Sequence, residues 1–208
     1  MAEYSYDAFI SYRRTQNGIY WVEKYFKPCL EQELTQCLGR PARIFHDTTD
    51  IPIGSKWRQE LKRALATSRC LVPVYCGVYF NSEWCSREFG VFYNREQICN
   101  NDPVNPIRII IPVKVRDGDH LPKPAKDIQH LELDNYFTCC SAFRDSIEFM
   151  NFEKDIARLA SDISESISND SFPTWEPKWL NEDYLEGVKI DQFYKPGDVF
   201  ILQNPTLK

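Results

Sequence analysis

The amino-acid sequence predicts an α/β fold, in which five parallel strands form a doubly wound sheet with helices on both faces. Three observations lead to this fold class. Continuous apolar runs at residues 6–12, 70–76 and 108–115 are typical of strands that are covered on both faces. Longer segments with apolar residues at helical spacing separate these runs. Turn-forming residues mark the boundaries between the two kinds of segment.

The first strand is predicted at residues 6–12, where apolar and β-prone residues precede a polar segment. A helix is expected at residues 19–38, and Pro28 inside it should kink or restart that helix. Gly39 suits the C-terminal cap, because glycine adopts the left-handed conformation without strain. A second, short strand is predicted at residues 42–47.

Proline and glycine then mark a loop at residues 48–55. Ser55 is placed to cap a helix over residues 56–68, whose apolar positions fall on one face. The apolar run at residues 70–76 predicts a buried strand, although Pro73 within it cannot donate to a ladder of hydrogen bonds.

The later elements continue the alternation, with a helix at residues 82–99 and a buried strand at 108–115. A loop that contains proline at 121–125 precedes a weak strand at 128–133, and a long amphipathic helix follows to about residue 167. A sheet built in this way is flavodoxin-like, and such sheets bind ligands outside the carboxyl ends of their strands. We therefore expect functional residues directly after the strands.

Residues 168–208 differ in composition from residues 1–167. Prolines and polar residues interrupt any long element there, yet large apolar side chains are too frequent for a free tail. These side chains include Phe172, Trp175, Trp179, Tyr184, Phe193, Tyr194 and Phe200. We interpret residues 1–167 as the folded domain, and residues 168–208 as a C-terminal extension that packs on that domain or on a partner.

The composition narrows the classes of function. A formal net charge of -5 argues against non-specific nucleic-acid binding, which depends on lysine and arginine neutralising phosphates. No apolar stretch reaches the ~18 residues of a membrane span, and the N-terminus does not resemble a signal peptide, so we expect a cytoplasmic protein. The eight cysteines and three histidines lack metal-ligand spacing, which favours reduced, mostly buried thiols and no metal site.

Three boxes, met in order along the chain, resemble the TIR (Toll/interleukin-1 receptor) domain family. Residues 9–14 resemble its opening box, and residues 45–54 resemble its second strand and BB loop. Residues 81–89 resemble its Trp-Cys-x-x-Glu box, with Trp84 first and Glu88 last. The order of strands, helices and loops agrees with that family from residue 4 to about residue 167.

The resemblance implies one of two kinds of function. Some TIR domains are adaptors that assemble signalling complexes, and others cleave NAD+ at its nicotinamide bond. The enzymes need a glutamate on the helix after the third strand, and by resemblance that glutamate is Glu88. Trp57, just after the BB loop, matches the position where enzymatic members hold an aromatic ring against nicotinamide, which is a favourable contact for a cationic ring.

The chemistry agrees with these residue types. Breaking the nicotinamide bond builds positive charge on the ribose, and one carboxylate, that of Glu88, can stabilise it. Nicotinamide leaves as a neutral molecule, so the reaction needs no second acid. Trp84 shares a helix face with Glu88 and is a candidate wall of the pocket. Arg13 or Arg14 is a candidate for binding the pyrophosphate, and Asp47 for binding a ribose or holding the BB loop.

Other readings of the same residues stay open. Glu88 is also compatible with a solvated helix position or an ion pair with Arg13 or Arg87, because adaptor TIR domains carry the same box. An adaptor would act by self-association through TIR–TIR contacts of the BB loop, residues 48–55. A third reading is a flavodoxin-like enzyme acting on nucleosides, such as a deoxyribosyltransferase relative, which also places a glutamate near a ribose.

The chain looks most like the stand-alone bacterial TIR proteins of antiphage defence, of the Thoeris kind. The resemblance implies NAD+ as a substrate, with no cofactor. It implies nicotinamide and ADP-ribose, or a cyclic or conjugated form of ADP-ribose, as products. In such systems the product is a signal that activates a separate effector protein.

Overall fold

One five-stranded sheet forms the centre of the molecule. The structure is a computed structural model that describes residues 4–46, 56–100, 106–116, 121–181, 184 and 187–194. The strands are β1 (Tyr6–Tyr12), β2 (Ile44–Phe45), β3 (Ser68–Tyr75), β4 (Val113–Lys114) and β5 (Leu131–Glu132). All neighbouring pairs are parallel, in the order β2-β1-β3-β4-β5. The chain therefore winds outwards in both directions from β1 and β3, which confirms the predicted fold class.

Helices cover both faces of this sheet. The α-helices in the described ranges are α1 (Gln16–Trp21), α2 (Lys27–Leu38), α3 (Trp57–Thr67), α4 (Glu83–Cys99), α5 (Lys123–Lys126) and α6 (Ile147–Ile167). Short 3₁₀ turns occur at Tyr79–Asn81, Asp134–Tyr136, Ser141–Asp145 and Pro177–Leu180. Side chains of α2 and α6 belong to one apolar core, and side chains of α3, α4 and α5 belong to a second core on the opposite face.

Strand β1 contributes alternate side chains to the two cores, because successive residues of a strand point to opposite faces. Ala8, Ile10 and Tyr12 lie in the core of α2 and α6, whereas Phe9 lies in the core of α3 and α4. Ser11 has the same parity as Phe9, so it faces α4 close to the carboxyl end of the strand. This alternation places a hydroxyl under the helix that carries the Trp-Cys-x-x-Glu box.

The predicted break at Pro28 takes the form of a wider turn. Residues Val22–Phe26 form a π-helix between α1 and α2, and the Lys27 N–H donates to the Val22 carbonyl five residues back. Proline has no N–H and its ring crowds the preceding turn, so a widened turn before Pro28 lets the helix continue without a sharp kink. Gly39 ends α2 with a φ of 64°, as predicted for its C-terminal cap.

Several predicted boundaries were wrong. The strand expected at residues 108–115 is reduced to β4, with one isolated bridge from Ile110 to Leu71. Pro112 lies between that bridge and β4, and it has no N–H to donate. Helix α5 occupies residues that were expected to be a loop. The N-cap of α3 is Lys56, without a side-chain hydrogen bond, whereas the expected cap, Ser55, lies outside the described residues.

Pro73 sits inside β3 without interrupting its pairing to β1, where it stands opposite Ser11. Leu71 and Tyr75 lie two residues before and after Pro73, so their backbone groups point to the same side of β3 as those of Pro73. The Leu71 N–H donates to the Ile109 carbonyl, and the Tyr75 carbonyl accepts from the Val115 N–H, so this side faces the segment that contains β4. The missing N–H of Pro73 therefore falls on the side where the ladder is already interrupted at Pro112.

The described part of residues 168–208 packs against α3 and α4. Trp179 is fully buried, and the ring of Phe193 lies 5.1 Å from that of Phe89 on α4. Arg95 of α4 is also fully buried; it donates to the carbonyls of Leu65 and Ser68, and its guanidinium lies 4.4 Å from the ring centre of Trp179. Carbonyl oxygens and aromatic faces thus take the place of water around this cation.

The cysteines are less buried than expected. All eight lie in the described ranges as free thiols, but Cys70 and Cys85 alone are buried, and Cys37, Cys139 and Cys140 are exposed. The prediction of mostly buried thiols was therefore wrong.

Within the described part of the chain, the helices are all too short or too polar to cross a membrane.

Candidate functional site

Glu88 occupies an inward-facing position of α4 rather than a solvated one. Ser82 caps the helix by accepting from the Cys85 N–H at 3.4 Å. Glu88 lies in the second turn and is only 8% exposed. Its neighbour Arg87 pairs instead with Glu83, at 2.9 Å. The reading of Glu88 as a solvated helix residue is therefore wrong.

A chain of hydroxyl groups leads to the Glu88 carboxylate. Ser11 Oγ donates to Glu88 Oε2 at 2.5 Å, and it lies 2.6 Å from the hydroxyl of Tyr79. Because the one proton of Ser11 is directed to the carboxylate, the Tyr79 hydroxyl donates to Ser11. The side chains come from β1, from the turn after β3 and from α4, so packing of three elements fixes the carboxylate in place.

The surroundings of these hydroxyl groups keep Tyr79 protonated. Burial raises the pKa of Tyr79 well above its usual value, and the neighbouring Cys85 and Glu88 raise it further. Tyr79 can therefore serve as a hydroxyl donor at any physiological pH. Burial likewise raises the pKa of the Cys85 thiol, with Glu88 adding to the effect and Arg13 opposing it. A thiol with a raised pKa is a poor nucleophile, so Cys85 is a packed thiol rather than a reactive one.

Two tryptophans stand beside the helix turn that precedes Glu88. Trp84 lies one turn before Glu88 on α4, and its ring meets that of Trp57 edge to face at 5.2 Å. The guanidinium of Arg58 lies 5.7 Å from the ring centre of Trp84. Both indoles are partly exposed at the border of the α3–α4 core. They therefore combine a structural contact with accessible aromatic surface.

Arg13 and Arg14 follow β1 directly and are both exposed. Arg13 lines a cavity of about 480 Å³ at the carboxyl edge of the sheet. The same cavity is lined by Gly77 after β3, Arg116 after β4, and Phe137. The guanidinium of Arg116 lies 5.8 Å from the ring centre of Phe137. Two cations thus lie at the strand ends where an α/β sheet binds ligands.

The structure brings together only part of the predicted constellation. Trp57 contacts Trp84, which lies one helical turn before Glu88, whereas the cavity that Arg13 lines includes none of the three. Asp47 and the BB loop, residues 48–55, lie outside the described residues. Within the described ranges, His, Cys, Asp and Glu side chains form no group of three or more that could hold a metal ion.

The sequence placed Tyr79 and Arg116 in segments that follow strands, 77–84 and 116–119, and Ser11 in the opening box, but it assigned a role to none of the three. Two of them follow strands: Tyr79 lies within the segment after β3, and Arg116 follows β4 with Val115 between them. Ser11 carried a different signal, because it is a polar residue at an inward position of an otherwise apolar strand. A polar group in that setting needs a hydrogen-bonding partner, which proves to be Glu88.

The arrangement suits the stabilisation of positive charge next to an aromatic ring. A carboxylate fixed by a hydroxyl chain can lie beside a developing cation without reorganising. Indole faces favour a cationic ring, and guanidinium groups at the same edge favour phosphate.

Comparison with known proteins identifies a family whose model matches this chain. A family model described as "TIR domain" matches residues 9–147. The chain is similar in structure to the TIR domain of the Toll-related receptor TRR-2 from Hydra magnipapillata, with 18% sequence identity, a TM-score of 0.47, and coverage of 73% of this chain and 98% of that one.

It is also similar to the TIR domains of the activated Roq1 resistosome that directly recognises the pathogen effector XopQ. There the sequence identity is 21% and the TM-score 0.39, with coverage of 77% of this chain and 84% of that one. No curated protein matches the sequence.

Proposed function

The chain belongs to the TIR domain family, since the family model matches most of its length, and we propose that it is an NAD+-cleaving member of that family. The observation that carries this proposal is the position of Glu88. Its carboxylate accepts a hydrogen bond from Ser11, which Tyr79 in turn positions, and it lies one helical turn from Trp84, whose ring contacts Trp57. That is the combination that cleavage of a pyridinium glycoside requires.

The proposed reaction breaks the C–N bond between nicotinamide and ribose. The bonding electron pair goes to the pyridinium nitrogen, so nicotinamide leaves as a neutral molecule. The Glu88 carboxylate stabilises the positive charge left on the ribose. Water then adds to the anomeric carbon and loses a proton, which gives ADP-ribose. A ring nitrogen of the adenine, adding in place of water, gives a cyclic isomer.

The remaining contacts are assigned by charge and position. Trp57 stacks on the nicotinamide ring, because an indole face attracts a cation, and Trp84 forms one wall of the pocket. Arg13 or Arg14 contacts the pyrophosphate, and Arg13 has a further guanidinium, Arg116, across its cavity. Asp47 contacts a ribose hydroxyl or holds the BB loop.

Incubation with NAD+ tests the proposal. Purified full-length protein, assayed up to concentrations at which it assembles, is expected to release nicotinamide that mass spectrometry detects with its ADP-ribose product. Glu88→Gln should reduce the release ~100-fold or more, as loss of an electrostatic stabiliser does. Glu83→Gln is the matched control, because Glu83 is an exposed glutamate on the same helix. Equal rates for the two variants would contradict the assignment.

An adaptor function is the second candidate, and the burial of Glu88 favours it. A carboxylate that is 8% exposed and bonded to Ser11 also serves as a structural link between α4 and β1. An adaptor would assemble through the BB loop, and substitutions in residues 48–55 would abolish its function. Glu88→Gln would then spare signalling while lowering stability, which is the opposite pattern to that of the enzyme.

The biological setting follows by analogy with stand-alone bacterial TIR proteins of antiphage defence. We place the chain in the cytoplasm, where NAD+ is available. Its product, a linear, cyclic or conjugated ADP-ribose, would act as a signal for a separate effector protein. Comparison of products from infected and uninfected cells would identify the signal, and absence of any NAD+-derived product in infected cells would remove this role.

A further inference from the structure

A second cavity lies at the opposite, amino-terminal edge of the sheet. Its volume is about 740 Å³, which is within the range of small-molecule sites. Tyr4 before β1, Arg43 before β2 and Arg69 at the start of β3 contribute to one side. Phe172 and Trp175 contribute the other side. These two residues lie beyond residue 147, where the TIR-domain match ends, so this cavity is a feature of this chain rather than of the matched region.

The charge of the lining is entirely positive. Arg43 and Arg69 line the cavity, and none of the described residues that line it carries a carboxylate. Arg43 lies 4.0 Å from Asp7, which already receives two hydrogen bonds from Arg40, at 2.7 and 2.8 Å. The Arg43 charge is therefore weakly compensated, and an anion in the cavity would restore the balance.

Arg69 has an unmet hydrogen-bonding group. Its Nη1 donates to the Ile167 carbonyl at 3.2 Å, and its guanidinium lies over the rings of Tyr4 and Phe172. Its Nε is buried and has no hydrogen-bond acceptor in the described structure. A buried donor without an acceptor costs stability, and a phosphate oxygen is the kind of acceptor that a guanidinium edge binds best.

The aromatic side of the cavity is held in place by long-range hydrogen bonds. The Tyr4 hydroxyl donates to the Pro173 carbonyl at 2.9 Å, and the Trp175 indole donates to the Ala66 carbonyl at 3.1 Å. Trp175 and Phe172 remain partly exposed. A planar ring that entered the cavity would thus meet aromatic surface that is already positioned.

We propose that this cavity binds a nucleoside phosphate, with the phosphate on Arg43 and Arg69 and the base against Phe172 and Trp175. The positive lining selects an anion, and the aromatic side selects a planar ring. A nucleoside monophosphate combines both within a cavity of this size. The site is remote from Glu88, so the proposal does not depend on the chain being an enzyme.

Calorimetric titration of adenosine monophosphate into the full chain tests the proposal. The protein carries Arg13→Gln and Arg116→Gln, so that the arginines that line the cavity at the carboxyl edge do not contribute to nucleotide binding. Inorganic phosphate and adenosine are titrated separately. We expect the nucleotide to bind at least tenfold more tightly than either part, because only the nucleotide engages both sides of the cavity.

Two substitutions on that background locate the binding. Arg43→Gln changes an exposed side chain and should leave the fold intact, yet weaken nucleotide binding about tenfold, as loss of a charged hydrogen bond does. Trp175→Ala should weaken it by a similar factor. Arg144→Gln, which removes an exposed arginine that does not line the cavity, is the control. Three results would overturn the proposal: no nucleotide binding, binding of phosphate alone with the same affinity, or nucleotide binding that Arg43→Gln leaves unchanged.

Discussion

Glu88 combines two properties that rarely coincide in a helix: it is nearly buried, and it is an acceptor at the end of a hydroxyl chain. Burying a carboxylate is unfavourable unless hydrogen bonds replace its water. Ser11 supplies such a bond, and Tyr79 in turn supplies one to Ser11. The same two hydroxyls that make burial tolerable also fix the direction in which the carboxylate points. Stability and positioning therefore depend on the same contacts.

Ser11→Ala separates positioning from direct contact with substrate. Loss of the hydroxyl should lower stability by about 1–2 kcal/mol, because it removes a buried hydrogen bond to a charged group. It should also lower kcat for NAD+ cleavage about tenfold with little change in KM, since Ser11 acts on Glu88 and not on the substrate.

Ser86→Ala is the control for this variant. Ser86 is a buried serine of the same helix whose hydroxyl donates to the Phe80 carbonyl rather than to Glu88. We expect it to lower stability without lowering kcat. An equal loss of kcat in both variants, measured by nicotinamide release, would show that general loosening of α4 is responsible.

For single residues, the sequence predicted which side chains belong to the site better than it predicted which side chains contact each other. Glu88, Trp84 and Trp57 could be chosen because they belong to a box or follow a loop. The bond from Ser11 to Glu88 joins residues that are 77 positions apart, and it exists because β1 and α4 pack against each other. No spacing along the chain encodes that distance, so it could not be predicted.

Strands and helices with a strong apolar periodicity were predicted well. The bounds of those that contain or adjoin a proline were not. The bounds of β1 agree residue for residue, and α4 begins one residue after its predicted start because Ser82 is its cap. Pro112 shortens β4, and a π-helical turn before Pro28 keeps α1 and α2 continuous. A proline in the sequence marks a disturbance, but tertiary packing decides whether a strand ends or a helix widens.

Gly90 shows how α4 accommodates the C-terminal extension. A Cβ at this position would lie 2.5 Å from Val188 Cγ1 and 3.2 Å from Phe193 Cε2, both in the extension. The extension therefore packs directly on the backbone of α4 at a glycine. A glycine within a helix costs about 1 kcal/mol relative to alanine. Close packing is the physical reason for a glycine here.

The sign of the effect of Gly90→Ala tests that packing. Helix propensity alone predicts that the variant is more stable by about 1 kcal/mol. The clash with Val188 predicts the reverse, a loss of about 1–2 kcal/mol, and faster protease cleavage within residues 181–194. Urea unfolding and limited proteolysis give both readouts.

The double variant Gly90→Ala with Val188→Ala provides the matched control, because it removes the methyl groups that the new Cβ would meet. It should be more resistant to protease in this segment than Gly90→Ala alone. Stabilisation by Gly90→Ala alone would mean that the extension does not rest on α4.

For the whole molecule, Asp7 links the sheet to the segment between α2 and β2. It is fully buried and accepts two hydrogen bonds from Arg40 and one from the Arg43 N–H. Burial of the Asp7 carboxyl acts to raise its pKa, but the hydrogen bonds and charges of Arg40 and Arg43 outweigh it and hold the pKa below the ordinary value of 3.8. The ionised form is therefore favoured by folding.

The lowered pKa of Asp7 determines how the stability of the protein depends on pH. A carboxyl whose folded pKa is depressed stabilises the protein above its unfolded pKa, and it loses that contribution as the pH falls through the folded pKa. Asp7→Asn should cost about 2 kcal/mol at pH 7 and progressively less below about pH 4. Urea unfolding at several pH values measures this difference. Asp145→Asn, an exposed aspartate, should show no such trend, and a constant cost for Asp7→Asn would contradict the account.

Assembly is the second property of the whole molecule, because Glu88 is only 8% exposed in the single chain. If TIR–TIR contacts complete the site, nicotinamide release per molecule should rise with protein concentration. Ile53→Asp in the BB loop should suppress that rise. Ile147→Asp makes the same change at an exposed isoleucine of α6 and is the control. Activity per molecule that is independent of concentration would exclude completion by assembly.

The central claim is that the Glu88 carboxylate is the catalytic group. The most direct measurement is nicotinamide release from NAD+ by the assembled wild-type protein and by Glu88→Gln at matched melting temperature and oligomeric state. We expect release by the wild type and a reduction of ~100-fold or more in the variant, with Glu83→Gln unaffected. Cleavage by Glu88→Gln at the wild-type rate, or no cleavage by the assembled wild type, would contradict it.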